Sequence, residues 1–91
     1  MTVEEFARTA RALAHATRSL GLVVPAFRSP PRVAGAARTL RRYPEGVVIS
    51  VRLDRPADTV AADLIDGVIA ANGITDPDQV AAVRDQLHAA A

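Results

Sequence analysis

Tyr43-Pro44-Glu45-Gly46 is a chain reversal with a local mechanism, and the residues beyond it can hardly form anything but a strand. Proline presets the first φ of the turn, and Gly46 offers the left-handed position that other residues avoid. Past the turn, Val47, Ile49, Val51 and Leu53 alternate with Val48, Ser50 and Arg52, which gives a strand with one apolar face. Residues 38–53 are therefore predicted to form an antiparallel β-hairpin. Pro44 cannot reach positive φ, so a two-residue primed turn is excluded and a three-residue loop with a bulge at Gly46 is expected. In that register Tyr43 faces Val47 and Arg38 faces Arg52. Arg38, Arg42 and Arg52 then share the outer face with Leu40, Val48 and Ser50, and Arg41 falls among the inner valines, where it needs an acidic partner. A shifted register moves Arg41 outward, and the sequence leaves both open.

Helical periodicity brackets the hairpin. Thr2 with Glu5 forms a capping box. Val3, Phe6, Ala10, Leu13, Thr17 and Leu20 then recur at steps of three and four as one buried stripe, and Gly21 stops the helix. A second stripe, Arg8, Arg11, His15 and Arg18, has the same spacing on another face and reads as a solvated basic surface. Leu22 to Phe27 is a candidate short strand that Pro25 confines to a sheet edge. Ser29-Pro30-Pro31 reads as extended, and Ala34-Gly35-Ala36-Ala37 has no clear period. A second helix begins near Pro56 with Asp54 as its cap. It is lined by Val60, Leu64, Val68 and Ala71 beside Ala61, Ile65 and Ile69, and it ends at Asn72-Gly73. Gly67 in its middle implies a close contact, since glycine there costs about 1 kcal/mol relative to alanine. A third, short helix comes next, with Asp76 as cap, Pro77 at its first position and Gln79 completing a box. Val80, Val83 and Leu87 form its thin apolar edge, and it is expected to fray from Ala89. The fold class is α+β, in the order α-β-β-α-α with a third short edge strand as an option. The hairpin packs on two longer helices and a short C-terminal one, in a single domain spanning residues 1–91.

The core available to that fold is thin. Of the 45 apolar residues 19 are alanine, and the aromatics are Phe6, Phe27 and Tyr43 alone. Small cores are often completed by a second copy of the chain, so a homo-oligomer, with a dimer favoured, is the expected state. Charge is uneven. Residues 28–55 carry seven arginines against Glu45 and Asp54, whereas residues 56–91 carry six aspartates against Arg84. The basic middle and the acidic last third are expected to meet, within one chain or across an interface. The chain has no cysteine, which excludes a disulfide framework and thiolate chemistry. Glu4 and Glu5 stand where a secretory signal would be basic, and no apolar stretch is long enough to span a bilayer. The expected setting is cytoplasmic, with no membrane contact.

Nothing in the sequence calls for a catalytic residue, a cofactor or a metal. His15 and His88 have no ligand spacing, and Asp63 and Asp66 on one helical face read as solvation. Ser29, Thr39 and Ser50 sit in no nucleophile frame, and the glycines are scattered. Arg38, Arg41, Arg42 and Arg52 are the candidate contact residues, because arginine forks suit phosphates and carboxylates. A nucleic-acid partner is disfavoured by a net charge of +1 and by the lack of aromatic stacking residues beyond Tyr43. The preferred reading is a small non-enzymatic module that oligomerises or binds a protein. A nucleic-acid binder using the arginine-rich hairpin is one alternative. A small-ligand binder or enzyme whose pocket forms on oligomerisation is the other.

Phe6 to Leu13 (FARTARAL), Pro25 to Arg32 (PAFRSPPR), Arg38 to Arg42 (RTLRR) and Val60 to Val68 (VAADLIDGV) together resemble a family of short actinobacterial, chiefly mycobacterial, proteins of unknown function. The resemblance covers most of the chain. It implies a bacterial cytoplasmic setting and carries no activity, ligand or site residue.

Overall fold

The computed structural model describes residues 1–30 and 36–91. Three helices and three strands succeed one another as α1 (Val3–Ser19), β1 (Ala26–Arg28), β2 (Arg38–Tyr43), β3 (Gly46–Val51), α2 (Ala57–Ala71) and α3 (Pro77–Ala90). The α+β class and the hairpin expected from the sequence are present, and the optional edge strand is β1, which shares only Ala26 and Phe27 with the expected Leu22 to Phe27 and begins after Pro25. The strands form one mixed sheet in the order β1-β3-β2, with β1 parallel and β2 antiparallel to the central β3. The expectations for Pro31, Arg32, Ala34 and Gly35 lie outside the described residues.

The ends of the helices come from their sequences. Thr2 and Glu5 form both bonds of the capping box at α1, at 3.1 Å each. The Thr2 N–H and hydroxyl hold the Glu5 carboxyl below the usual carboxylate range. Gly21 and Gly73 take left-handed φ of 73° and 64° just past α1 and α2. At α3, Asp76 accepts the Gln79 N–H at 3.1 Å. Asn72 closes α2 and fixes the approach to β1 in one move. Its amide oxygen accepts the Val23 N–H at 2.7 Å, and its NH₂ donates to Val23 O at 3.0 Å and Val68 O at 2.9 Å.

Four expectations need correction. Asp54 does not cap α2: the N-cap is Pro56, with no side-chain bond, and Asp54 pairs with Arg52 instead. Val3 is not part of the buried stripe of α1, being 70% exposed in the first turn. The third helix is not short. With 14 residues it nearly matches the 15 of α2 and runs to Ala90, because alanine, the best helix former, fills its last turn.

The fourth correction concerns the hairpin. Tyr43 pairs with Gly46, so the loop is the two residues Pro44 and Glu45. No described residue other than glycine has positive φ, so the turn is not a primed one. Gly46 does not take the left-handed helical conformation expected inside the loop: it stands at φ 150°, open to glycine, as the first residue of β3. The register therefore differs by one residue from the bulged one, and Arg38 faces Val51, not Arg52. A slip of one residue exchanges every side chain of β2 between faces. Leu40 lies opposite Ile49 on the inner face, and Arg41, opposite Val48, goes outward and is exposed.

The core lies where α2 crosses the inner face of the sheet. Ile49, Val51, Val60, Leu64, Ile65 and Val68 are fully buried there, joined by Leu13 of α1 and Leu87 of α3. The helix sits low on the sheet because Gly67 faces Ile49. A Cβ at position 67 would stand 2.6 Å from Ile49 Cδ1 and 3.0 Å from its Cγ2. Ile49 is fully buried, so its side chain would have to shift within the core. Gly67→Ala is expected to lower stability by about 1–2 kcal/mol, overpacking outweighing the gain in helix propensity. Urea unfolding should show a reduced midpoint at unchanged slope. A raised midpoint would mean that α2 lifts without cost.

Candidate functional site

The four arginines singled out in the sequence do not form one surface. Arg38 and Arg42 lie on the inner face of β2 and reach across to α2. Arg38 Nη1 donates to the Asp63 carbonyl at 3.4 Å. Arg42 Nη1 donates to Ala71 O at 3.3 Å and its Nη2 to Ala70 O at 3.2 Å. Those two carbonyls belong to the last turn of α2, where Ala70 O also accepts the Gly73 N–H at 3.1 Å and the helix dipole favours a cation. No basic residue occupies that turn, so Arg42 supplies the charge from the sheet. Arg52 lies just past β3 and grips Asp54 with both nitrogens of its fork, Nε at 3.1 Å and Nη2 at 2.7 Å. The Arg52 hydrogen bond holds the Asp54 carboxyl below its ordinary range. Arg41 has no ion-pair partner among the described residues. It shares the outer face with Arg28, which the sequence pattern did not single out and which the parallel register places opposite Ser50.

A second unforeseen residue is Arg55. Its Nη1 bonds Asp63 Oδ2, and its Nη2 donates to Ala37 O at 3.3 Å and Arg52 O at 3.1 Å. This half-buried pair is one place where the basic middle meets the acidic last third, inside one chain. Asp66, four residues before Ala70, is held by Arg84 of α3 at 3.0 Å. Asp63 and Asp66 are thus two separate ion pairs, and among the described residues no group of three His, Cys, Asp or Glu is placed to hold a metal ion. A cleft of about 360 Å³ opens between the starts of α1 and α2 and the end of α3, rimmed by Glu5, Arg8, Asp58 and His88. Thr9 is the one hydroxyl that lines it.

Exposed charge without an ion pair differs in sign between α1 and α3, with Glu4 in the first turn of α1 as the acidic exception. Arg8, Arg11, His15 and Arg18 are all exposed on the side of α1 away from Leu13. Asp78 and Asp85 are exposed on the side of α3 away from Leu87, with Ala82 and Ala89 between and beyond them. None of these arginines and aspartates has an ion-pair partner among the described residues. Among the described residues no helix is long and apolar enough to cross a membrane. Comparison with family models, curated proteins and solved structures returns no match.

The two kinds of arginine are separable by stability. Arg42→Ala is expected to cost about 1 kcal/mol by uncapping α2, whereas Arg41→Ala should change stability by less than about 0.5 kcal/mol. Thermal unfolding of the two variants side by side checks this. Equal losses would mean that Arg42 does not cap the helix in solution.

Proposed function

We propose that this chain is a small non-enzymatic module that acts by association, foremost with a second copy of itself. The observation that carries the reading is the excess of unpaired cations on the outer side of α1, Glu4 in its first turn apart, against unpaired anions on the outer side of α3, among the described residues. Surfaces of opposite sign on one molecule attract between copies. The thin core is compatible with this, since the fully buried side chains are Leu, Ile, Val and Thr with no aromatic among them. A bacterial cytoplasm is the setting that fits a cysteine-free chain resembling short actinobacterial proteins. Light scattering at low ionic strength is expected to give a mass above the monomer that falls as salt rises, because exposed pairs beyond about 10 Å are screened at about 0.1 M salt. A monomer at every salt and protein concentration would remove the reading.

A polyanionic partner, nucleic acid included, is the second reading. One observation favours it: Arg28 and Arg41 stand on the open sheet face with no acidic partner among the described residues. Binding to a labelled duplex, monitored by anisotropy, should then weaken steeply with salt. Arg41→Ala should flatten that slope and Arg42→Ala, already engaged by α2, should leave it unchanged. A slope insensitive to Arg41 would turn this reading down.

A further inference from the structure

The outer faces of α1 and α3 carry the same seam with opposite charge. On α1 the outward positions run Ala7, Arg11, Ala14, Arg18, at steps of four, three and four residues. On α3 they run Asp78, Ala82, Asp85, Ala89, again at four, three and four. Steps of four and three are the spacing at which one helix meets another along a shallow crossing. We infer that α1 of one copy docks antiparallel on α3 of a second copy. This rests on the self-association reading and deepens it by naming its surface.

The antiparallel direction gives the fullest overlap. Laid antiparallel, the seams pair as Ala7 with Ala89, Arg11 with Asp85, Ala14 with Ala82, and Arg18 with Asp78. Every layer is then either two alanines or one arginine with one aspartate. Laid parallel and shifted by one layer, Arg11 and Arg18 still meet Asp78 and Asp85, but Ala7 and Ala89 lose their partners, so the antiparallel arrangement is the one that uses all four layers. The alanines let the helix axes approach to about 8 Å, the near end of the usual range, and the arginine and aspartate stems bridge the layers between them. Seven of the eight residues are exposed and Ala14 is half-buried, so the seam is accessible. None of the four charged residues has an ion-pair partner among the described residues that the contact would have to break.

The contact is made twice in a closed pair. The first turns of α1 and the last turn of α3 line one cleft, so the two helices lie together in each chain. A two-fold axis that places α1 on the second copy's α3 also places α3 on that copy's α1. The assembly then stops at two chains, with four Arg–Asp layers.

A charge exchange tests the inference. Arg11→Glu with Arg18→Glu makes both seams acidic, and Asp78→Arg with Asp85→Arg makes both basic. Each double variant alone should dimerise at least about tenfold more weakly than the unaltered chain by sedimentation equilibrium. An equimolar mixture of the two should recover a Kd within about threefold of the unaltered chain, because each mixed pair again brings acidic seams against basic ones. Circular dichroism of each variant establishes that it is folded, and recovery in the mixture shows that the loss was not a folding defect. Dimers that survive both exchanges, or a mixture that fails to recover, overturn this surface while leaving self-association standing. If Val48→Glu alone abolishes the dimer, the contact lies on the open sheet face and the inference falls. An unaltered chain that stays monomeric at low salt overturns the self-association reading and this inference together.

Discussion

The close seating of α2 on β3 is the constraint on which the rest of this fold depends. Ile49 occupies the volume that a side chain at position 67 would need, and it does so while fully buried. A helix lying that near a sheet buries small side chains well, which a chain with few large ones requires. The same closeness brings the last turn of α2 within reach of β2, so that Arg42 can cap it from the sheet. It also brings the Asp63 carbonyl within reach of Arg38. Had α2 stood a few ångströms higher, both arginines would have extended past the helix into solvent. The hairpin would then present the basic surface that its sequence suggests.

Arginine is suited to that internal role. Its stem packs along apolar neighbours while the fork reaches polar atoms at the edge of the core. Arg38 and Arg42 do this beside Leu40 on the inner face of β2, and Arg55 does it at the entrance to α2 with three acceptors at once. One cost is visible, since Arg55 Nε is buried without a hydrogen-bond partner. Charge in the middle of the chain is therefore mostly structural, with Arg28 and Arg41 on the sheet and the outer helix faces carrying charge that stays free. β2 also lies at a sheet edge, where arginines discourage pairing with a strand of another chain. An association surface on the helices is consistent with an edge guarded in this way.

Much of the fold is legible in the sequence because it rests on local chemistry. The capping box at Thr2, the glycine stops at positions 21 and 73, the alternation from Val47 and the wide stripe from Val60 each act within a few residues. The register was not legible, because it turns on how Gly46 distributes the strand twist, a choice between two conformations both open to glycine. Nor was the parallel pairing of β1, since three residues carry no signal of direction. The arginine site was misread for a related reason. Sequence gives the face of a strand residue only after the register is known, and one step of slip exchanged Arg41 with its neighbours. The basic stripe on α1 was visible by its spacing. Its acidic counterpart on α3 was not, since aspartates among alanines look like ordinary solvation until the helix is seen to extend through Ala89.

Alanine connects these observations. The abundance that thins the core also leaves α1 and α3 with flat outer faces. A flat face contributes little apolar area to a contact, so hydrophobic burial, which scales with area, is a minor part of any docking between these helices. The specificity of such a contact then lies in the order of its charges. A seam of alternating alanine and charge has only one alignment in which every layer is both filled and complementary, whereas a leucine seam accepts several. The core and the outer helix faces are therefore separate parts of this fold. Leu13, Ile49, Leu64, Ile65 and Leu87 close the core within one chain, and the outer faces remain free to respond to ionic strength without unfolding what lies beneath.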